Sequence, residues 1–222
     1  MNDSAQIPTT PRTLDLTLAE ALAQYEANRP DEAESLLRRV LALDPEHADA
    51  MHLLGLIAHR AGRYETATEM IMAAITRKPL ALYYFNLGNV MQSNNRPAAA
   101  AECFRQAIAM QPDHIDAHNN LGNALRALKQ HEAAVQSFCN AINLAPEHAQ
   151  AYNNLANTLM ELGELDAAIE AYRSAIALRP DFAEPHSNLL FALNYLATTT
   201  PRQYPDEALR FATQIRTQAK PS

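Results

Sequence analysis

Five prolines, Pro45, Pro79, Pro112, Pro146 and Pro180, divide the chain at spacings of 34, 33, 34 and 34 residues, and each follows a helix-patterned stretch such as AIAMQ, INLA or IALR. So constant an interval points away from one layered core and toward a small unit stacked on copies of itself. The unit is plainest in HNNLGNALRALKQHEAAVQSFCNAINLAP, His118 to Pro146, which returns as YNNLANTLMELGELDAAIEAYRSAIALRP, Tyr152 to Pro180. Each copy reads as two amphipathic helices. The first is marked by Leu121, Gly122 and Leu125, the second by Ala134, Phe138, Ala141 and Ile142, and a proline ends the pair.

Small residues recur in register. Ala21, Gly55, Gly88, Gly122 and Ala156 share one position of the first helix. Ala33, Ala67, Ala100, Ala134 and Ala168 share one of the second, and Val40, Ala74, Ala107, Ala141 and Ala175 another. Helices packed about 8–10 Å apart leave no room for a large side chain where they cross, so Gly or Ala stands there and Leu or Phe fills the flanks. These positions build a scaffold and do no chemistry. Taken together they resemble the tetratricopeptide repeat, over roughly residues 14 to 195. The resemblance implies an all-α fold: a right-handed α-solenoid of helix-turn-helix hairpins with a C-terminal capping helix.

Domain organisation follows from the period. Residues 1–12, with Pro8 and Pro11, form a polar lead. Residues 13–195 carry about five repeats and the first helix of a sixth, FAEPHSNLLFALNY. Its second helix does not follow on schedule. Residues 196–204 are expected as a linker, and 205–218 as a closing helix with Ala208, Leu209, Ala212 and Ile215 on one face. The first repeat is the most divergent, as a terminal copy with one wet face would be.

A net charge of −7 with no basic cluster argues against binding nucleic acid. Cys103 and Cys139 lie in second helices of adjacent repeats without CxxC spacing and are expected as unpaired thiols of a reducing compartment. The N-terminal MNDSAQIPTTPR lacks the charged-then-apolar pattern of a secretory leader, and the apolar runs are too short to cross a bilayer. A cytoplasmic protein without a membrane role is the expectation.

One face of the first helices remains for recognition. Asn86, Asn120, Asn154 and Asn188 recur at one-repeat intervals, and Asn89, Asn123 and Asn157 stand three residues after the first three. Residues i and i+3 share a helix face, so these carboxamides form a paired ladder. A carboxamide offers donors and an acceptor, as a peptide backbone does, and a row of them can hold an extended chain without reading its side chains. The competing role is to bond the neighbouring helix. The wording NNLGN and NNLAN, with FNLGN and HSNLL beside it, is similar to the repeat arm of O-linked N-acetylglucosamine transferases, where an asparagine ladder grips substrate backbones. That resemblance implies Asn86, Asn120, Asn154 and Asn188 as the ladder. Ala19 and Leu53 depart from it. PDFAEPHSNLLFALNY likewise looks like the junction between repeats and catalytic region in bacterial members, and none of that region's groups has a counterpart in these 222 residues.

Other chemistries fit less well. Repeat proteins that clamp a terminal carboxylate place Lys and Arg on the concave face, whereas Asp15, Asp49, Asp116, Gln150 and Glu184 hold the early first-helix sites here. His114 and His118, four apart, are too few for a zinc site. No phosphate loop or nucleophile set appears. The expectation is therefore a non-catalytic interaction module, without metal or cofactor, whose partner is a protein or extended peptide. The alternative is the recognition arm of a protein glycosyltransferase, and a third reading is self-association through the ends of the stack.

Overall fold

The computed structural model describes residues 11–199, and side chains from 14 to 196. Among the described residues there are eleven helices and no strand. They fall into two compact units, residues 1–112 and 113–222. The first unit holds α1 (Pro11–Glu26), α2 (Pro30–Leu43), α3 (Ala48–Arg60), α4 (Tyr64–Arg77), α5 (Ala81–Ser93) and α6 (Pro97–Met110). The second holds α7 (Ile115–Ala127), α8 (His131–Leu144), α9 (Ala149–Leu162), α10 (Leu165–Leu178) and α11 (Ala183–Thr199). The all-α architecture of tandem helical hairpins is therefore as the period demands.

Each hairpin turns through one left-handed residue: Asn28, Gly62, Asn95, Lys129 or Gly163. Glycine and asparagine accept that conformation readily, which leaves Lys129 as the strained member. Proline then ends each second helix. The residues before it, Asp44, Lys78, Gln111, Ala145 and Arg179, hold ψ between 87° and 92°, because a following pyrrolidine ring disfavours the helical region. Pro30 and Pro97 sit at the opposite end, in the first turn, where a missing N–H costs nothing.

Within a hairpin the seam is formed by the predicted small residues. Ala33, Ala67, Ala100, Ala134 and Ala168 are all fully buried, as are Val40, Ala74, Ala107, Ala141 and Ala175. A Cβ added to Gly88 or Gly122 would stand 2.5 Å from the ring of Phe104 or Phe138, and one on Gly55 would stand 2.5 Å from Ile71 Cγ1. Glycine there is a condition of the ring's presence. In the sixth copy Leu190 takes that place.

The hairpins also fix which side faces inward. In the first unit α1 touches α3 and α3 touches α5; in the second α7 touches α9 and α9 touches α11. The second helices α2, α4 and α6 do not touch one another, nor do α8 and α10. The first helices thus line the tighter, inner side of each unit.

Two boundaries differ from the sequence-based ones. Helix α1 begins at Pro11, inside the expected lead, and α11 continues to Thr199, into the expected linker. Leu196 explains the second shift: it is buried in a cluster with Leu159, Ile169, Tyr172 and Leu193, which draws another turn of helix onto the core. The expected closing helix at 205–218 lies outside the described residues.

Candidate functional site: the inner face of the first helices

The inner face is a lattice of polar side chains between neighbouring first helices. In the second unit, Asn154 Nδ2 on α9 donates to Asn119 Oδ1 on α7 at 3.0 Å, and Asn119 Nδ2 donates to Asn120 Oδ1 at 3.2 Å. Gln150 Nε2 donates to Asn154 Oδ1 at 3.3 Å. Four amides therefore run donor to acceptor from Gln150 to Asn120, an arrangement in which each bond polarises the next.

A second cluster joins α9 to α11. Asn188 Nδ2 donates to Asn157 Oδ1 at 3.0 Å, and the same oxygen accepts Tyr172 Oη–H from α10 at 2.6 Å. Glu184 Oε1 accepts from Asn153 Nδ2 at 3.0 Å and from Asn157 Nδ2 at 3.4 Å. Burial pushes the Tyr172 phenol up to about 12, with the Glu184 charge adding to it, so it stays a donor. Asn153 is fully buried, and its Oδ1 has no hydrogen-bond partner.

In the first unit the corresponding place is taken by a histidine and a tyrosine. Asn86 Nδ2 on α5 lies 2.9 Å from His52 Nε2 on α3. Because the amide NH2 can only donate, the imidazole Nε2 accepts and the ring carries its proton on Nδ1. His52 stacks on Tyr83 with ring centroids 4.3 Å apart, and Tyr83 Oη–H donates to Asp49, which Lys78 also reaches at 3.3 Å. Burial pushes the His52 imidazole down to about 4 against the opposing Asp49 charge, so it is neutral at pH 7. Burial pushes the Asp49 carboxyl up, but the hydrogen bonds from Tyr83 and Lys78 outweigh it and hold the group below its ordinary value.

The ladder residues are thus on the inner face but not equally open. Asn154 is buried, whereas Asn86, Asn89, Asn120, Asn123, Asn157 and Asn188 are half-buried. Asn154, Asn157 and Asn188 bond other amides of the lattice, so part of their capacity ties helix to helix. Each amide can make up to four hydrogen bonds, and one or two such ties leave the rest of that capacity. What sequence reasoning missed is the repeat position just before the ladder site, where His52, Asn119 and Asn153 bond Asn86, Asn154 and Glu184 of the next first helix; Phe85 and Ser187 hold that position in the other two copies. The doubled NN of NNLGN and NNLAN was the available signal.

Histidines have a different task from metal binding. His47, His114 and His148 precede α3, α7 and α9, and each Nδ1 accepts the backbone N–H three residues on, at 3.3, 3.3 and 3.1 Å. They cap the helices. Among the described residues no group of three or more His, Cys, Asp or Glu is placed to hold a metal ion. Cys103 and Cys139 are half-buried free thiols; burial, with Glu102 beside it, pushes Cys103 up to about 11, which makes it a poor nucleophile. Among the described residues no helix is long and apolar enough to cross a membrane.

Comparison with known proteins gives the same repeat. The family model described as "Tetratricopeptide repeat" matches residues 18–81 and 85–142, more than half of the chain, and a second model of that description matches 149–182. The chain is 37% identical over 82 residues to human tetratricopeptide repeat protein 7B, covering 36% of this chain and 10% of that protein. It is 30% identical over 91 residues to human tetratricopeptide repeat protein 7A, covering 40% and 10%. The chain therefore spans about a tenth of the length of these curated relatives. Among solved structures, YrrB, "a TPR protein with an unusual peptide-binding site", superposes with a TM-score of 0.67 at 21% identity, covering 76% of this chain and 88% of that one. MamA from Desulfovibrio magneticus RS-1 gives 0.70 at 17%, covering 76% and 96%, and Pseudomonas aeruginosa pilF gives 0.68 at 19%, covering 91% and 98%. At these identities the likeness is one of fold.

Proposed function

Because this chain belongs to the tetratricopeptide repeat family, we propose that the inner face of its first helices is a docking face for an extended protein segment, and that the protein is a non-catalytic interaction module. The supporting observation is the half-buried amide row between α7, α9 and α11. Asn157 and Asn188 combine a fixed position with remaining hydrogen-bonding capacity, Asn120 and Asn123 stand half-buried beside them, and the deeper Asn154 holds the row in register. Asn86 and Asn89 play the same part in the first unit. A guest backbone meets donors and acceptors already spaced and already ordered, which lowers the entropy lost on binding. The peptide-binding site named for YrrB makes this fold a precedent for such a use. We assign it to the cytoplasm, where unpaired thiols such as Cys103 and Cys139 persist.

The test uses a peptide selected on the full chain by display. Replacing Asn123 and Asn188 together by alanine should weaken that peptide roughly tenfold, at about 0.5–1.5 kcal/mol per hydrogen bond. Thermal stability should stay close to wild type. Methylating alternate backbone nitrogens of the peptide should weaken it as well. A peptide indifferent to both changes would bind elsewhere.

A second reading, the substrate-recognition arm of an O-linked N-acetylglucosamine-type transferase, rests on the NNLGN and NNLAN wording. It requires a nucleotide-sugar-binding domain in the same polypeptide or in a partner. Co-purification of the chain with such a domain would favour it, and a chain that recruits substrates to no transferase would end it.

A further inference from the structure

We infer that the guest of the second unit is a basic segment, because α11 carries a stripe fitted to arginine side chains. The inference deepens the docking reading above and rests on it. Glu184, Asn188, Phe191 and Tyr195 stand at i, i+4, i+7 and i+11, one face of the helix. Glu184 and Asn188 are the members that bond Asn157, which places the stripe on the inner side.

The stripe departs from the repeat in two ways. One period before Phe191 is Asn157, so an aromatic ring replaces the ladder amide at this copy. That ring is 65% exposed, and Tyr195, one turn on, is 52% exposed. The acids also differ. Asp116 is met by His148 at 3.6 Å, and Glu161 by His131 at 3.1 Å and Arg126 at 4.0 Å. The Glu184 carboxylate is held by hydrogen bonds from two neutral amides and, among the described residues, by no ion pair.

A carboxylate and the exposed Phe191 ring on one stripe suit two guanidinium groups, one pairing with the carboxylate in a forked hydrogen bond and the other stacking on the ring. Along the helix Glu184 and Phe191 are about 10 Å apart at 1.5 Å per residue. Arginines three positions apart in a polyproline II segment, with three residues per turn and about 3.1 Å per residue, share one face and span about 9 Å. The ladder amides hold the guest backbone without regard to sequence, and α11 selects the side chains. The protein's net charge of −7 favours the approach of such a guest.

Fluorescence anisotropy on the full chain tests this with labelled nonapeptides of repeated Arg-Gly-Gly, Leu-Gly-Gly and Glu-Gly-Gly. The arginine probe should bind at least about tenfold tighter than either other, and lose affinity with added salt. Glu184→Gln and Phe191→Ser, both surface changes, should each weaken it roughly threefold to tenfold with unchanged thermal stability. Equal binding of the leucine probe, or an arginine affinity that neither variant alters, overturns the inference. So does sedimentation in which Phe191→Ser converts a dimer to a monomer, which assigns the face to a second copy. Binding of the arginine probe only after removal of residues 200–222 assigns it to the chain's own end and overturns the inference too. If Asn123→Ala with Asn188→Ala weakens all three probes alike while no arginine preference exists, the docking face stands and the arginine stripe falls.

Discussion

Phe138→Ala is expected to lower folding stability by about 3–5 kcal/mol. The ring is wholly buried between α7 and α8, and it occupies the space that the missing side chain of Gly122 leaves open. Removing it takes away both the apolar burial and the filler of the hairpin's closest crossing. The reciprocal change, Gly122→Leu, should cost about 1–3 kcal/mol by overpacking, since even a Cβ would lie 2.5 Å from Phe138 Cε1 and 2.7 Å from Cζ. The two share one space, so the double variant should be less destabilised than the sum of the singles. Other hairpins show the same exchange of volume. Gly55 faces Ile71 and Gly88 faces Phe104. Urea denaturation followed by circular dichroism checks it; strict additivity would mean that the two residues do not share a cavity.

Acidification is expected to weaken the first unit through His52. Above pH 6.5, the ordinary histidine value, the imidazole is neutral in folded and unfolded chains alike. Between 6.5 and about 4 the unfolded chain takes up a proton that the folded chain refuses. Stability therefore falls as pH drops through that window, by as much as about 3 kcal/mol at its acid end. Asp49, whose carboxyl is held below its ordinary value, adds a loss in the same direction at lower pH. His59 is pushed down by burial and contributes with the same sign. His52→Asn keeps a partner for Asn86 and copies the arrangement of Asn119 in the second unit, with nothing to protonate. Its unfolding free energy should fall less steeply than wild type between pH 6.5 and 4.5. Parallel curves would place the titrating group elsewhere.

The scaffold was legible in the sequence because its rule is local. Gly122 and Phe138 lie sixteen positions apart in one hairpin, and recurrence in other copies marks both as packing positions. Relations between hairpins were harder to read. Asn154 reaches Asn119, and Tyr83 reaches Asp49, across a repeat boundary. Helical spacing tells which residues share a face, but not how far the neighbouring face is rotated toward it. Recurrence therefore put the asparagines on one helix face, while the bonds among them were not legible. His114 shows the same limit on a smaller scale. Its value as a cap depends on the backbone N–H of Ala117, which no pattern of side chains displays. The extension of α11 was missed because LATTT reads as loop, whereas Leu196 has core to bury against.

The carboxamides of α7, α9 and α11 must change their surroundings when a guest arrives. Side-chain amide resonances of the 15N-labelled full chain, recorded while a display-selected peptide is added, report this directly. The NH2 signals of Asn120, Asn123, Asn157 and Asn188 should shift in step with peptide concentration, and that of the buried Asn154 should shift less. Saturating peptide that leaves those signals in place, with shifts confined to α8 and α10, would contradict an inner docking face.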